Sequence, residues 1–183
     1  MKKTALVFPG IGYHKDKPIL YYAIRLAEAK GYEPRIIEYH DMPRGIKGNA
    51  ELMKKAAELA YRQTEEQLRD LDPAACSDIL SIGKSIGTVI SAKYLAEHGV
   101  DARQIWYTPV EATFMFVSRK TLAFIGDADN WSDVNEVKRL AGEKGIPLYS
   151  YAGCDHSLEG DSVTDNIGIL RDVMRISEEF IGE

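Results

Sequence analysis

The five residues Gly83-Lys84-Ser85-Ile86-Gly87 set a hydroxyl between two glycines, with the apolar run Ile79–Ile82 before them and a helical pattern after them. A serine on such a strand-to-helix turn presents its hydroxyl above the sheet. The turn brings backbone so close that a side chain in place of either glycine would clash. The helix N-terminus adds free N–H groups and a dipole that favours developing negative charge. Gly83-Lys84-Ser85 is also the tail of a phosphate-binding loop. That motif needs a glycine five residues before Gly83, where Asp78 stands, and a loop where Ile79–Ile82 run straight into Gly83. An ATPase or GTPase is rejected on that ground.

A serine hydroxyl is a weak nucleophile without a base in hydrogen-bond reach. The chain has four histidines. His98 lies at the end of a helix, on the wrong side of the sheet. His40 follows an edge strand, and His14 shares the loop after the first strand. His156, in Asp155-His156-Ser157-Leu158-Glu159, follows the last strand at the edge where Ser85 must lie, and is the candidate base. The carboxylate that orients it is sought in Gly126-Asp127-Ala128-Asp129. Asp129 lies further into the loop and is preferred. Asp127, the alternative, is placed to hold backbone N–H groups of the turn. The loop Phe8-Pro9-Gly10-Ile11-Gly12-Tyr13-His14 offers one N–H for an oxyanion hole and Ile86 a second. A dinucleotide site would need a glycine at Lys15. Tyr13, Tyr107 and Trp131 are expected to face the same region, with Tyr13 and Trp131 as candidate substrate-binding residues. Cys154 is read as a packed or surface thiol, and Lys84, Lys15 and Lys17 as solvated lysines rather than recognisers of acidic acyl groups.

Positioning these residues requires an alternating fold. Strands are predicted at Thr4–Phe8, Arg35–Tyr39, Ile79–Ile82, Gln104–Tyr107, Thr121–Ile125 and Leu148–Tyr151. Between them lie helical patterns. Leu20, Ala23, Ile24 and Ala27 precede a stop at Gly31. Asn49 caps a helix to about Leu71 with Leu52, Ala56, Leu59 and Leu68 inward. Ile86–His98 is closed by Gly99. Ser132 caps a helix ending at Gly145, and a last helix carries Val163, Ile167, Leu170 and Met174 on one stripe. This order implies a three-layer α/β/α sandwich with a mostly parallel six-stranded sheet. The charged Arg35–Tyr39 run is placed at an edge. Ligand chemistry then belongs beyond the carboxyl ends of the strands.

Ser85, Asp129 and His156, in that chain order, together with the Pro9-Gly10 loop, resemble the α/β-hydrolase superfamily over nearly the whole chain. The resemblance implies the N–H groups of Ile11 and Ile86 as oxyanion donors. Pro9-Gly10 stands where the family usually has His-Gly. The chain looks like a trimmed, lidless member with the first two strands missing, and its site is expected to be open and shallow.

The composition agrees with that class. The 183 residues are 45% hydrophobic and 28% charged, as in globular proteins, and the length suits a single domain over 1–183. The net charge of −5 argues against a nucleic-acid partner. No apolar run approaches the ~18 residues of a membrane span, and the first apolar stretch ends at Pro9-Gly10, too early for a signal peptide. A cytoplasmic location is expected. Two cysteines make neither a disulfide framework nor a zinc site. The expectation is a serine hydrolase acting on a small acyl ester or thioester, needing no metal or organic cofactor. Acyl transfer on the same triad, a non-catalytic small-molecule binding protein of the same fold and a flavodoxin-like cofactor binder are the alternatives, and the sequence is compatible with a homo-oligomer.

Overall fold

In the computed structural model, which describes residues 2–116 and 120–182, six strands form one sheet. They are β1 (Lys2–Phe8), β2 (Tyr32–Ile36), β3 (Cys76–Lys84), β4 (Arg103–Tyr107), β5 (Thr121–Gly126) and β6 (Leu148–Tyr151), in the order β2-β1-β3-β4-β5-β6. Every pairing is parallel, so the sheet is parallel throughout rather than mostly so. Five helices connect and flank it: α1 (Pro18–Ala29), α2 (Ala50–Leu68), α3 (Ile86–Glu97), α4 (Val134–Lys144) and α5 (Val163–Gly182). Successive strand residues face opposite ways. Ala5 and Val7 of β1 pack with α1 and α5 residues such as Leu20 and Val173. Leu6 and Phe8 pack on the other side with α2 and α3 residues such as Ala60 and Ile90. A third cluster sets Trp106 and Ile125 against Val137 and Ala141 of α4. The result is three layers with the strand ends Phe8, Lys84, Tyr107 and Gly126 brought into line by register.

The second strand lies three residues earlier than the predicted Arg35–Tyr39. Pro34 is tolerated there because β2 is an edge strand. Residues after it leave the sheet because two glutamine side chains of α2 take over their backbone groups. Glu38 N–H donates to Gln67 Oε1 at 3.0 Å and His40 N–H to Gln63 Oε1 at 2.9 Å, while the two amide nitrogens donate back to the Glu38 and His40 carbonyls.

Helix ends follow local chemistry. Asn49 Oδ1 accepts from Leu52 N–H at the start of α2, which ends at Leu68 rather than about Leu71. Its inward face centres on Ala56, Ala60, Tyr61, Thr64 and Leu68, leaving Leu52 and Leu59 half-buried. The cap of α4 is Asp133, not Ser132: its carboxylate accepts from Asn135 and Glu136 N–H, whereas Ser132 Oγ turns to the Pro109 carbonyl. The stripe expected on α5 is only partly inward. Val173, Ile176, Ser177 and Ile181 are buried, but Val163 and Ile167 are 74% and 63% exposed.

Candidate active site

Ser85 ends the approach of β3 and caps α3 with φ +56° and ψ −127°. A non-glycine residue at positive φ carries strain on the order of 1–3 kcal/mol and persists only where its surroundings impose it. They do. Ser85 N–H donates to the Tyr107 carbonyl of β4 at 3.0 Å. A Cβ at Gly87 would stand 2.1 Å from the Phe8 carbonyl oxygen, and one at Gly83 2.9 Å from Thr88 Cα. Both glycines are therefore required by the close approach of backbone.

His156 sits in the loop between β6 and α5, and Asp129 in the loop between β5 and α4. The fold brings all three side chains together. Ser85 Oγ lies 2.7 Å from His156 Nε2, and His156 Nδ1 lies 2.7 Å from Asp129 Oδ2. The Asp129 side chain is wholly buried, and its other oxygen accepts from Trp131 N–H at 2.8 Å, which fixes the carboxylate. Asp127 does what its position near the strand suggested: its Oδ1 accepts from Gly153 N–H at 2.6 Å and stays away from the imidazole. Burial is the main influence holding the His156 imidazole below its ordinary pKa. The bond to Asp129 opposes it, and the charge of Lys84 reinforces it. Such a ring is neutral near pH 7 and able to accept a proton.

Ile11 and Ile86 both line the cavity over Ser85. Among the described residues neither amide has a backbone acceptor, so both N–H groups are available. Trp131 stacks on His156 with ring centroids 5.6 Å apart, and it lines the cavity, as does Tyr13. The Tyr13 hydroxyl is engaged, accepting from Ile19 N–H at 3.2 Å. Tyr107 departs from expectation. It is fully buried, stacked on Phe124, with its hydroxyl bonded to Ser177 of α5. Cys154 is a packed thiol whose pKa burial raises. His14 and His40 line a separate depression, and His98 meets Glu65.

Lys84 is not a solvated lysine. It is 1% exposed, and its Nζ donates to Thr108 Oγ1 at 2.6 Å and to the His156 carbonyl at 2.8 Å, 4.8 Å above the Tyr13 ring. Burial lowers its pKa to about 7. The sequence carried a signal for this, since alternation puts Lys84 on the buried face of Leu80 and Ile82. Lys15 does behave as a surface lysine, paired with Glu38.

The cavity holds about 580 Å³, within the roughly 300–1,000 Å³ of small-molecule pockets. Its far wall comes from Ile46, Met53 and Ala57, in α2 and the segment before it, and from Val110 and Ala112 after β4. Among the described residues no cluster of three or more metal-ligating side chains occurs, and no helix is long and apolar enough to cross a membrane.

No family model and no curated protein sequence matches the chain. Solved structures do. A serine hydrolase homologue from Coxiella burnetii matches with a TM-score of 0.68 at 17% identity, over 97% of this chain and 84% of that one. An esterase from Pyrococcus furiosus matches with a TM-score of 0.68 at 13% identity, over 99% and 82%. A serine hydrolase without lid from Xanthomonas campestris matches with a TM-score of 0.59 at 18% identity, over 95% and 81%. With its parallel sheet and the register of its strand ends, the chain has the α/β-hydrolase fold.

Proposed function

We propose that the protein is a serine hydrolase that cleaves a small carboxylic ester or thioester through an acyl-enzyme on Ser85. The observation that carries this reading is the unbroken relay from Ser85 Oγ through the His156 ring to the buried Asp129 carboxylate, two contacts of 2.7 Å. It is joined to a strained turn that lifts the hydroxyl into a cavity.

His156 Nε2 takes the Ser85 proton as Oγ attacks the carbonyl carbon. Asp129 holds the imidazole by Nδ1 and stabilises its charged form. The carbonyl electrons move onto oxygen, which the N–H groups of Ile11 and Ile86 receive. Such a donor contributes about 3 kcal/mol to the transition state. The intermediate collapses, the C–O or C–S bond breaks, and the leaving group departs with the proton held by His156. Water then gives a proton to His156 Nε2 and attacks the acyl carbon, and the carboxylic acid leaves as Ser85 recovers its proton. Nothing in this sequence of steps draws on a metal or organic cofactor.

The test is labelling with a fluorophosphonate probe alongside turnover of p-nitrophenyl acetate. Wild-type protein is expected to label and turn over, and Ser85→Ala to do neither. A Ser85→Ala protein that labels and turns over like wild type refutes the assignment.

A further inference from the structure

Lys47, on the wall of the cavity, donates from Nζ to Asn130 Oδ1 at 2.7 Å and lies 5.2 Å from the centre of the Trp131 ring. That ring stacks on His156. The lysine therefore reaches from the segment before α2 to the loop after β5 and is one aromatic ring from the base.

Its partners are neutral groups. Lys2, Lys15 and Lys55 meet the carboxylates of Glu33, Glu38 and Glu51. Lys47 meets a neutral amide oxygen and an aromatic face instead, and among the described residues no carboxylate pairs with it. Lys54, which lines the same cavity, reaches Glu58 only at 4.0 Å. Among the described residues Asp155 is the one carboxylate in the cavity lining, and its Oδ1 accepts from the N–H groups of Ser157 and Glu159. The chain as a whole carries −5, yet among the described residues Lys47, Lys54 and Lys84 line this cavity against the single carboxylate of Asp155. A cation held in place by neutral groups at the wall of a cavity attracts and orients an anion.

We propose that the ester or thioester substrate carries an anionic group such as a carboxylate, received by Lys47 with Lys54 beside it, while Ile46 and Met53 cover the carbon chain between that group and the scissile bond. This rests on the serine-hydrolase reading above.

Two matched pairs of esters test it by kcat/KM. The first is p-nitrophenyl hydrogen adipate against its methyl-capped form, which puts the charge on the acyl side. The second is 4-butyryloxybenzoate against its methyl ester, which puts it on the leaving side. Wild type is expected to prefer the charged member of at least one pair on the order of tenfold, and the pair that shows the preference identifies the side. Lys47→Met should lower the preference on the order of tenfold and Lys47→Glu should reverse it. Lys15→Met, outside the cavity, should keep it. No preference in either pair, a preference that survives Lys47→Met, or one that falls equally in Lys15→Met overturns the proposal. Failure of the hydrolase reading looks different: the neutral, methyl-capped esters would be cleaved as fast by Ser85→Ala as by wild type.

Discussion

Replacing Lys84 with Met leaves a chain of similar length in the same slot and removes the ammonium. The fully buried amine has its pKa brought from 10.5 to about 7 by desolvation. Keeping it charged in the folded protein therefore costs on the order of 5 kcal/mol relative to the unfolded chain, since each tenfold loss of proton affinity corresponds to about 1.4 kcal/mol. The unfolded state binds the extra proton between pH 7 and 10.5, so native stability rises with pH across that window and the penalty is fully present only below about pH 7. Lys84→Met lacks the penalty at every pH. It also leaves Thr108 Oγ1 and the His156 carbonyl without their donor, at about 1–3 kcal/mol each. At pH 6 the two effects nearly cancel, and the variant should unfold close to wild type. At pH 9.5 most of the penalty is gone from wild type, and the variant should be the less stable by a few kcal/mol. Urea unfolding of both proteins at the two pH values measures this, with wild type correcting for all other groups. The stability difference should change by roughly 3 kcal/mol between them. A difference that stays the same within about 1 kcal/mol refutes the assignment of a near-neutral, buried lysine beneath the site.

Asp129→Asn should lower kcat on the order of 10³- to 10⁴-fold, because the amide holds the wrong tautomer of the imidazole. Asp127→Asn, whose side chain bonds Gly153 N–H rather than the imidazole, should change it far less, and steady-state rates on p-nitrophenyl acetate separate the two. Gly87→Ala should fail to fold or lose more than about 3 kcal/mol, since the new methyl meets the Phe8 carbonyl at 2.1 Å; circular dichroism and thermal melts report it. The acidic limb of kcat/KM should lie below the ordinary histidine value of 6.5, as burial keeps His156 deprotonated to lower pH. Activity should fall only as pH drops through that depressed pKa, and a limb above 6.5 would contradict the burial of the ring.

Much of the arrangement was legible along the chain because its causes are local. Gly83 and Gly87 flank Ser85 because backbone crowds a tight turn within a few residues of it, a constraint contained in the five residues themselves. Strand-helix alternation, the stops at Gly31, Gly99 and Gly145, and the edge at which loops must gather follow from side-chain periodicity and from the one-handed crossover of parallel strands. The order serine, aspartate, histidine then needed only three loops meeting at one edge. What the chain alone left open depends on long-range packing. Asp127 and Asp129 are both turn aspartates by type, and only the fold decides that one reaches Gly153 while the other is buried against His156. The shift of β2 came from Gln63 and Gln67, 23 and 29 residues from the backbone groups for which they compete. The charge on Lys84 hid its burial, because solvation is a property of neighbours such as Thr108, Tyr13 and the His156 loop rather than of the residue. The cavity's lysine-bearing wall arises where residues of Ile46–Ala57 join Ser85 in lining one pocket, a meeting of segments about thirty residues or more apart that no local preference encodes.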